Sequence, residues 1–188
     1  ISLYGFFYDC QSLTSIEITN FDASSVTDMS YMFNNLKSCK YLDLSKLHAP
    51  KVQYMASMFL YCSSLISINF TGFDTSNTYD MDNMFSECIS LISLDLSSFN
   101  FNQVDLNYFC FHCYSLTSIQ FSSGYQLPGK VVRMFEECSS LLSIDLSNFD
   151  FGIIENLQYI FYGCTKLTSI DLSNFDTFSV TNMEYMFY

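Results

Sequence analysis

The sequence predicts an α/β repeat solenoid covering residues 1–188 as one array, and three observations carry that reading. The first is a period. Met-Phe recurs at Met32-Phe33, Met58-Phe59, Met84-Phe85, Met134-Phe135 and Met186-Phe187, with Phe6-Phe7, Phe109-Cys110 and Ile160-Phe161 as variants. The second residue of each pair falls at 7, 33, 59, 85, 110, 135, 161 and 187, which marks out seven full units of 25 or 26 residues. A fixed period of this size is the signature of units that bury their apolar side only against their neighbours. The second observation is a triplet in every unit, from Ile16-Glu17-Ile18 to Ile170-Asp171-Leu172, that alternates apolar, polar, apolar as a half-buried strand does. The third is the segment at residues 26–33, where Val26, Met29, Met32 and Phe33 recur at helical spacing behind Thr27 or Asp28 as a cap. Short parallel strands are expected on one face and short helices or turns on the other.

Each unit reads in the same order. Three residues after the Met-Phe pair comes a small column, Cys10, Leu36, Cys62, Cys88, Cys113, Cys138 and Cys164. Leu13, Cys39, Leu65, Leu91, Leu116, Leu141 and Leu167 follow three residues later, and then the strand triplet. Beyond it, a polar pair headed mostly by Ser or Thr leads to an anchor at Phe21, Leu47, Phe73, Phe99, Phe149 and Phe175. Asp22, Asp74, Asp150 and Asp176 follow the anchor, where a carboxylate accepts backbone N–H groups in a turn. The two 25-residue units are short in the connector, from Phe99 to Leu106 and from Gly124 to Val131, so the buried columns stay in register. Residues 124–129 are the most irregular and are expected to bulge from the surface. The chain opens on Ile1 and closes on an aromatic run, which reads as a stretch cut from a longer array.

Composition narrows the partners. The 49% hydrophobic content, with 20 Phe and 14 Tyr, supplies the apolar surface that a packed chain needs. Seven Lys plus Arg against 19 Asp plus Glu leave a net charge of −12, which repels nucleic-acid phosphates and anionic lipid head groups. No apolar run approaches the ~20 residues that span a bilayer, so no direct membrane insertion is expected in this segment.

Residues 110–113, Cys-Phe-His-Cys, have the look of a zinc or redox motif. The repeat gives them another meaning. Cys113 is the ordinary cysteine of its unit, and Cys110 stands where Phe85 and Phe135 stand in the flanking units. A structural zinc wants four closed ligands, whereas His112 sits between two core positions and should face outward. Cross-coil disulfides lie within Cα reach, but parallel side-chain directions disfavour them. Buried free thiols acting as small apolar filler are therefore expected, with no cofactor and no metal. The coil at Cys110 should be underpacked unless a neighbour such as Phe111 fills the gap.

The middle residues of the triplets, Glu17, Asp43, Asn69, Asp95, Gln120, Asp145 and Asp171, align as one exposed polar column. Ser15, Ser67, Ser93, Ser118, Ser143 and Ser169 form a second column two residues before most of them. Two readings stand: a solvated face kept polar for solubility, or a binding face for a basic partner or divalent cations. Hydrolytic chemistry finds little support. His48 and His112 are the only histidines, and neither Gly-x-Ser-x-Gly nor a phosphate-binding Gly loop occurs. The chain is not expected to be an enzyme. One glycosylation sequon, Asn69-Phe70-Thr71, is present.

The form MFxxCxxLxSIDLSxFDTSxVTxMxxMF is nearly complete at residues 161–187 as FYGCTKLTSIDLSNFDTFSVTNMEYMF. It resembles the BspA-type leucine-rich-repeat surface proteins of bacteria, mycoplasmas and some protists. Departures are Leu36 at the Cys position, Cys39 at the next Leu position, Cys110 for Phe and the segment 124–129. The resemblance implies a leucine-rich-repeat-like, curved, parallel-stranded array that is secreted or held at a cell surface, in a family whose members act as adhesins. It carries over no catalytic residue. The expected function is extracellular recognition of a protein or glycan through the sheet face. The other expectation is a structural subunit that packs with copies of itself into a filament, coat or matrix.

Overall fold

In the computed structural model, residues 1–124, 128–173 and 175–188 are described. Consecutive units lie side by side, joined through their backbones. Six short strands mark the successive triplets: β1 (Tyr41–Asp43), β2 (Ser67–Asn69), β3 (Ser93–Leu96), β4 (Ser118–Phe121), β5 (Ser143–Ile144) and β6 (Ser169–Ile170). They pair in parallel as three two-stranded sheets, β1 with β2, β3 with β4 and β5 with β6. The register is the repeat period itself: Leu42 faces Ile68, Leu94 faces Ile119, and Ile144 faces Ile170. Each strand begins one residue earlier than the triplet suggested, at Tyr41 in β1 and at the Ser column in the other five. The first triplet, Ile16-Glu17-Ile18, forms no strand.

The expectation of an α/β solenoid with helices is wrong. No helix occurs among the described residues, and the segments with helical spacing are turns. The hydrogen bonds give the reason. Around the Met32-Phe33 pair the N–H groups of Met29, Tyr31, Phe33 and Asn35 donate forward to the carbonyls of Tyr54, Ala56, Met58 and Leu60, one repeat further on, at 2.8–3.0 Å. Only the alternate residues bond locally, Met32 to Met29 and Asn34 to Tyr31, both at 3.1 Å. A helix would use every N–H within its own segment; here half of them hold neighbouring units together. The geometry is set by left-handed residues four apart, Tyr31 at φ 59° with Asn35 at φ 62°, and Asn83 at 57° with Glu87 at 61°. A non-glycine residue pays roughly 1–2 kcal/mol for that conformation, and the cross-unit bonds and packing hold it there. Apolar residues three and four apart therefore point inward from stacked turns as they would from a helix.

The core is one continuous cluster of buried side chains, from Ile18 to Met186. Phe7, Phe33, Phe59 and Phe85 form a stacked ladder, with ring centroids 5.4–5.6 Å apart and planes within 10° of parallel. Phe135, Phe161 and Phe187 resume it at 5.7 and 5.4 Å. At the Cys110 interruption the gap is filled by Phe109, not by Phe111. Phe109 is fully buried and meets Phe85 edge-on at 5.2 Å, while Phe111 lies half-buried against His112.

A second repair crosses the fifth unit, where Gly124 replaces the anchor. Phe101, which occupies the place held by Ala23 and Ala49 in earlier units, is fully buried and reaches Phe121 at 5.4 Å and Phe149 at 5.8 Å. Phe101 spans the missing anchor. Of the segment expected to bulge, Tyr125, Gln126 and Leu127 lie outside the described residues.

Candidate functional site

Alternation along each strand turns one side chain inward and the next outward, so the polar triplet residues align on the surface. Glu17, Asp43, Asn69, Asp95, Gln120, Asp145 and Asp171 are all exposed. The structure brings them together in pairs. Asp43 lies opposite Asn69, and Asn69 donates from Nδ2 to Asp43 Oδ1 at 3.0 Å. Asp95 lies opposite Gln120. An amide between carboxylates breaks the row of like charges that would otherwise repel across neighbouring strands. Asp145 and Asp171 have no amide between them, and the Asp171 charge works against ionisation of Asp145.

The column also shapes its own backbone. Asp43, Asn69, Asp95, Asp145 and Asp171 each accept the N–H of the residue two further on, at 2.8–3.0 Å. This contact turns the chain out of the strand. It also favours the ionised carboxylate. The serine hydroxyl and N–H that follow Asp95, Asp145 and Asp171 hold these groups below the usual carboxylate range, as the Ser45 N–H and hydroxyl do for Asp43. The column therefore stays anionic at neutral pH.

Two small crevices open along it. One, of about 180 Å³, lies at the break between β2 and β3 and is lined by Asn69, Thr71, Asp95 and Ser97. The other, of about 230 Å³, is lined by Glu17, Thr19, Asp43 and Lys46. Nothing in the period of the sequence marks where the sheet divides, so these crevices were not legible there.

The cysteines do something else. All eight are free. Cys62, Cys88, Cys113, Cys138 and Cys164 each donate from Sγ to the carbonyl of the residue at the Phe position one unit back: Phe33, Phe59, Phe85, Cys110 and Phe135, at 3.0–3.2 Å. The column is thus not merely apolar filler, because a weak S–H donor satisfies a buried carbonyl that Leu could not. Burial pushes the Cys39, Cys88, Cys110 and Cys138 thiols up, and Cys164 up to about 12. Such thiols are poor nucleophiles. His112 does not face outward freely: it is half-buried, with Nδ1 2.8 Å from Glu87 Oε1. No group of three or more His, Cys, Asp or Glu side chains is placed to hold a metal among the described residues.

These features define a repeat protein whose units are joined by parallel backbone hydrogen bonds and display one polar column each. More particularly, the chain belongs to the family described as "Mycoplasma protein of unknown function, DUF285", which matches residues 1–120 and 129–188. The unmatched stretch between them holds Gly124, where the anchor is missing. No curated protein matches the chain. Among the described residues no helix is long and apolar enough to cross a membrane.

Proposed function

We propose that this chain is a non-catalytic recognition module, of the kind the BspA-type resemblance implies, which binds a protein or glycan at a cell surface or outside the cell. The observation that carries the reading is the strand column. Seven polar residues stand exposed, one per unit, and the carboxylates of Asp43, Asp95, Asp145 and Asp171 are held ionised by the turns they close. A surface repeated at the unit spacing suits an extended ligand better than a small one. Basic side chains of a protein, or the hydroxyls of a glycan, are the groups such carboxylates and amides recognise. The crevices beside Asn69 and Asp95 and beside Glu17 and Asp43 add relief to an otherwise flat face.

The test is the double substitution Asp145→Asn with Asp171→Asn, compared with the unaltered chain on a panel of matrix proteins and a glycan array. Asn keeps the oxygen that closes the turn, as Asn69 does, so the fold is retained while charge is lost. Loss of the bound signals supports recognition by this face. Unchanged binding rejects it.

A further inference from the structure

A second ladder runs along the turns, away from the strand column. Ser2, Asp28, Tyr54, Asp80 and Asp105 are linked in succession by parallel backbone bridges. Tyr54 therefore lies between Asp28 on one side and Asp80 on the other, one unit away each. Its ring meets Tyr79 edge-on, with centroids 4.9 Å apart. Both rings are open to solvent, at 39% and 42% exposure. An aromatic face carries negative potential, and the two flanking carboxylates add formal charge of the same sign.

The molecule itself shows what fits such a place. Arg133 lays its guanidinium over the Tyr159 ring, 4.1 Å from the centroid, while Nη1 bonds both carboxylate oxygens of Glu136 at 2.7 and 3.0 Å. Further along the Asp28–Tyr54 ladder, Lys130 Nζ pairs with Asp105 Oδ2 at 2.8 Å. Tyr54 has the ring and the carboxylates of these internal sites. No cation is paired with Asp28, Tyr54 or Asp80 among the described residues.

We propose that Tyr54 and Tyr79, with Asp28 and Asp80, form a docking site for an arginine-bearing segment of another protein. The guanidinium lies on the Tyr54 face and pairs with a flanking carboxylate, as Arg133 does with Tyr159 and Glu136. Arginine suits the site better than lysine because its planar, weakly hydrated cation stacks on a ring and forks onto a carboxylate. A second copy of this chain is a poor occupant: Arg133 is its one arginine, already engaged, and both copies carry a net charge of −12.

Capped hexa-arginine and hexa-lysine peptides provide the probes, titrated by calorimetry at physiological salt. Hexa-arginine is expected to bind more tightly than hexa-lysine. Tyr54→Leu with Tyr79→Leu should remove that preference and weaken hexa-arginine about two- to fivefold, while Tyr54→Phe keeps it. Asp145→Asn with Asp171→Asn should leave the preference in place, which separates this site from the strand face. Amide shifts on adding hexa-arginine to the unaltered chain should cluster at residues 28, 54, 79 and 80, a readout independent of any variant's folding. Equal binding of the two peptides overturns the proposal. So does a preference that survives loss of both rings, or shifts confined to the strand column.

Discussion

Cys88 donates from Sγ to the carbonyl of Phe59 at 3.1 Å, and the same carbonyl accepts the Cys62 N–H at 3.1 Å. One thiol thereby ties two units and completes a buried acceptor. Cys88→Ala should cost about 1–2 kcal/mol, combining a small cavity with the lost donor. Urea unfolding of the variant measures it.

The same burial governs reactivity. Cys39, Cys62, Cys88, Cys110, Cys113 and Cys138 are buried in the folded chain, and Cys10 and Cys164 are half-buried. Ellman's reagent at pH 8 should label Cys10 first and Cys164 slowly, the latter because its thiol is pushed up to about 12. The other six should react only in denaturant. Rapid native labelling of Cys88 or Cys138 would show that the units do not stack as described.

Phe101 bridges Phe99, Phe121 and Phe149 where Gly124 leaves no anchor. Phe101→Ala should therefore destabilise by about 3–5 kcal/mol. Phe101→Leu should recover part of the loss. Thermal unfolding of both variants separates cavity formation from a general sensitivity of the connector.

Asp43, Asp95, Asp145 and Asp171 titrate below their usual value because the N–H and hydroxyl groups of the following serines favour the ionised form. A depressed folded-state value gives stability that is fully present above the unfolded value of 3.8 and is lost as pH falls through the folded one. The contribution of these four groups should be flat from neutrality to about pH 5 and decline below pH 4. Carboxyl NMR titration should place all four midpoints under 3.8. Asp145→Asn should barely change stability at pH 7.

Far-ultraviolet circular dichroism should lack the paired helical minima, since the inward Met and Phe residues sit on turns. Valine at Ser57, a buried position with φ 58°, should cost about 1–3 kcal/mol because a β-branched side chain resists that backbone. Glycine there should be nearly neutral.

The sequence by itself determined the period, the inward columns and the exposed row from Glu17 to Asp171. These follow from counting apolar positions, because each unit must meet its neighbour in the same register. It did not determine the route of the chain between columns. Met29, Met32 and Phe33 carry one spacing whether they ride on a helix or on turns with left-handed residues at every fourth position. Only the cross-unit hydrogen bonds distinguish the two.

Tertiary structure also decided how departures from the repeat are repaired. Phe109 for Cys110 and Phe101 for the absent anchor are ring placements across several units, which no single unit's pattern contains. The positions of the sheet breaks, the thiol bonds to carbonyls and the Tyr54–Tyr79 pair arise in the same way. Each joins residues of different units, whose distance is set by how the units stack, not by their order in the chain.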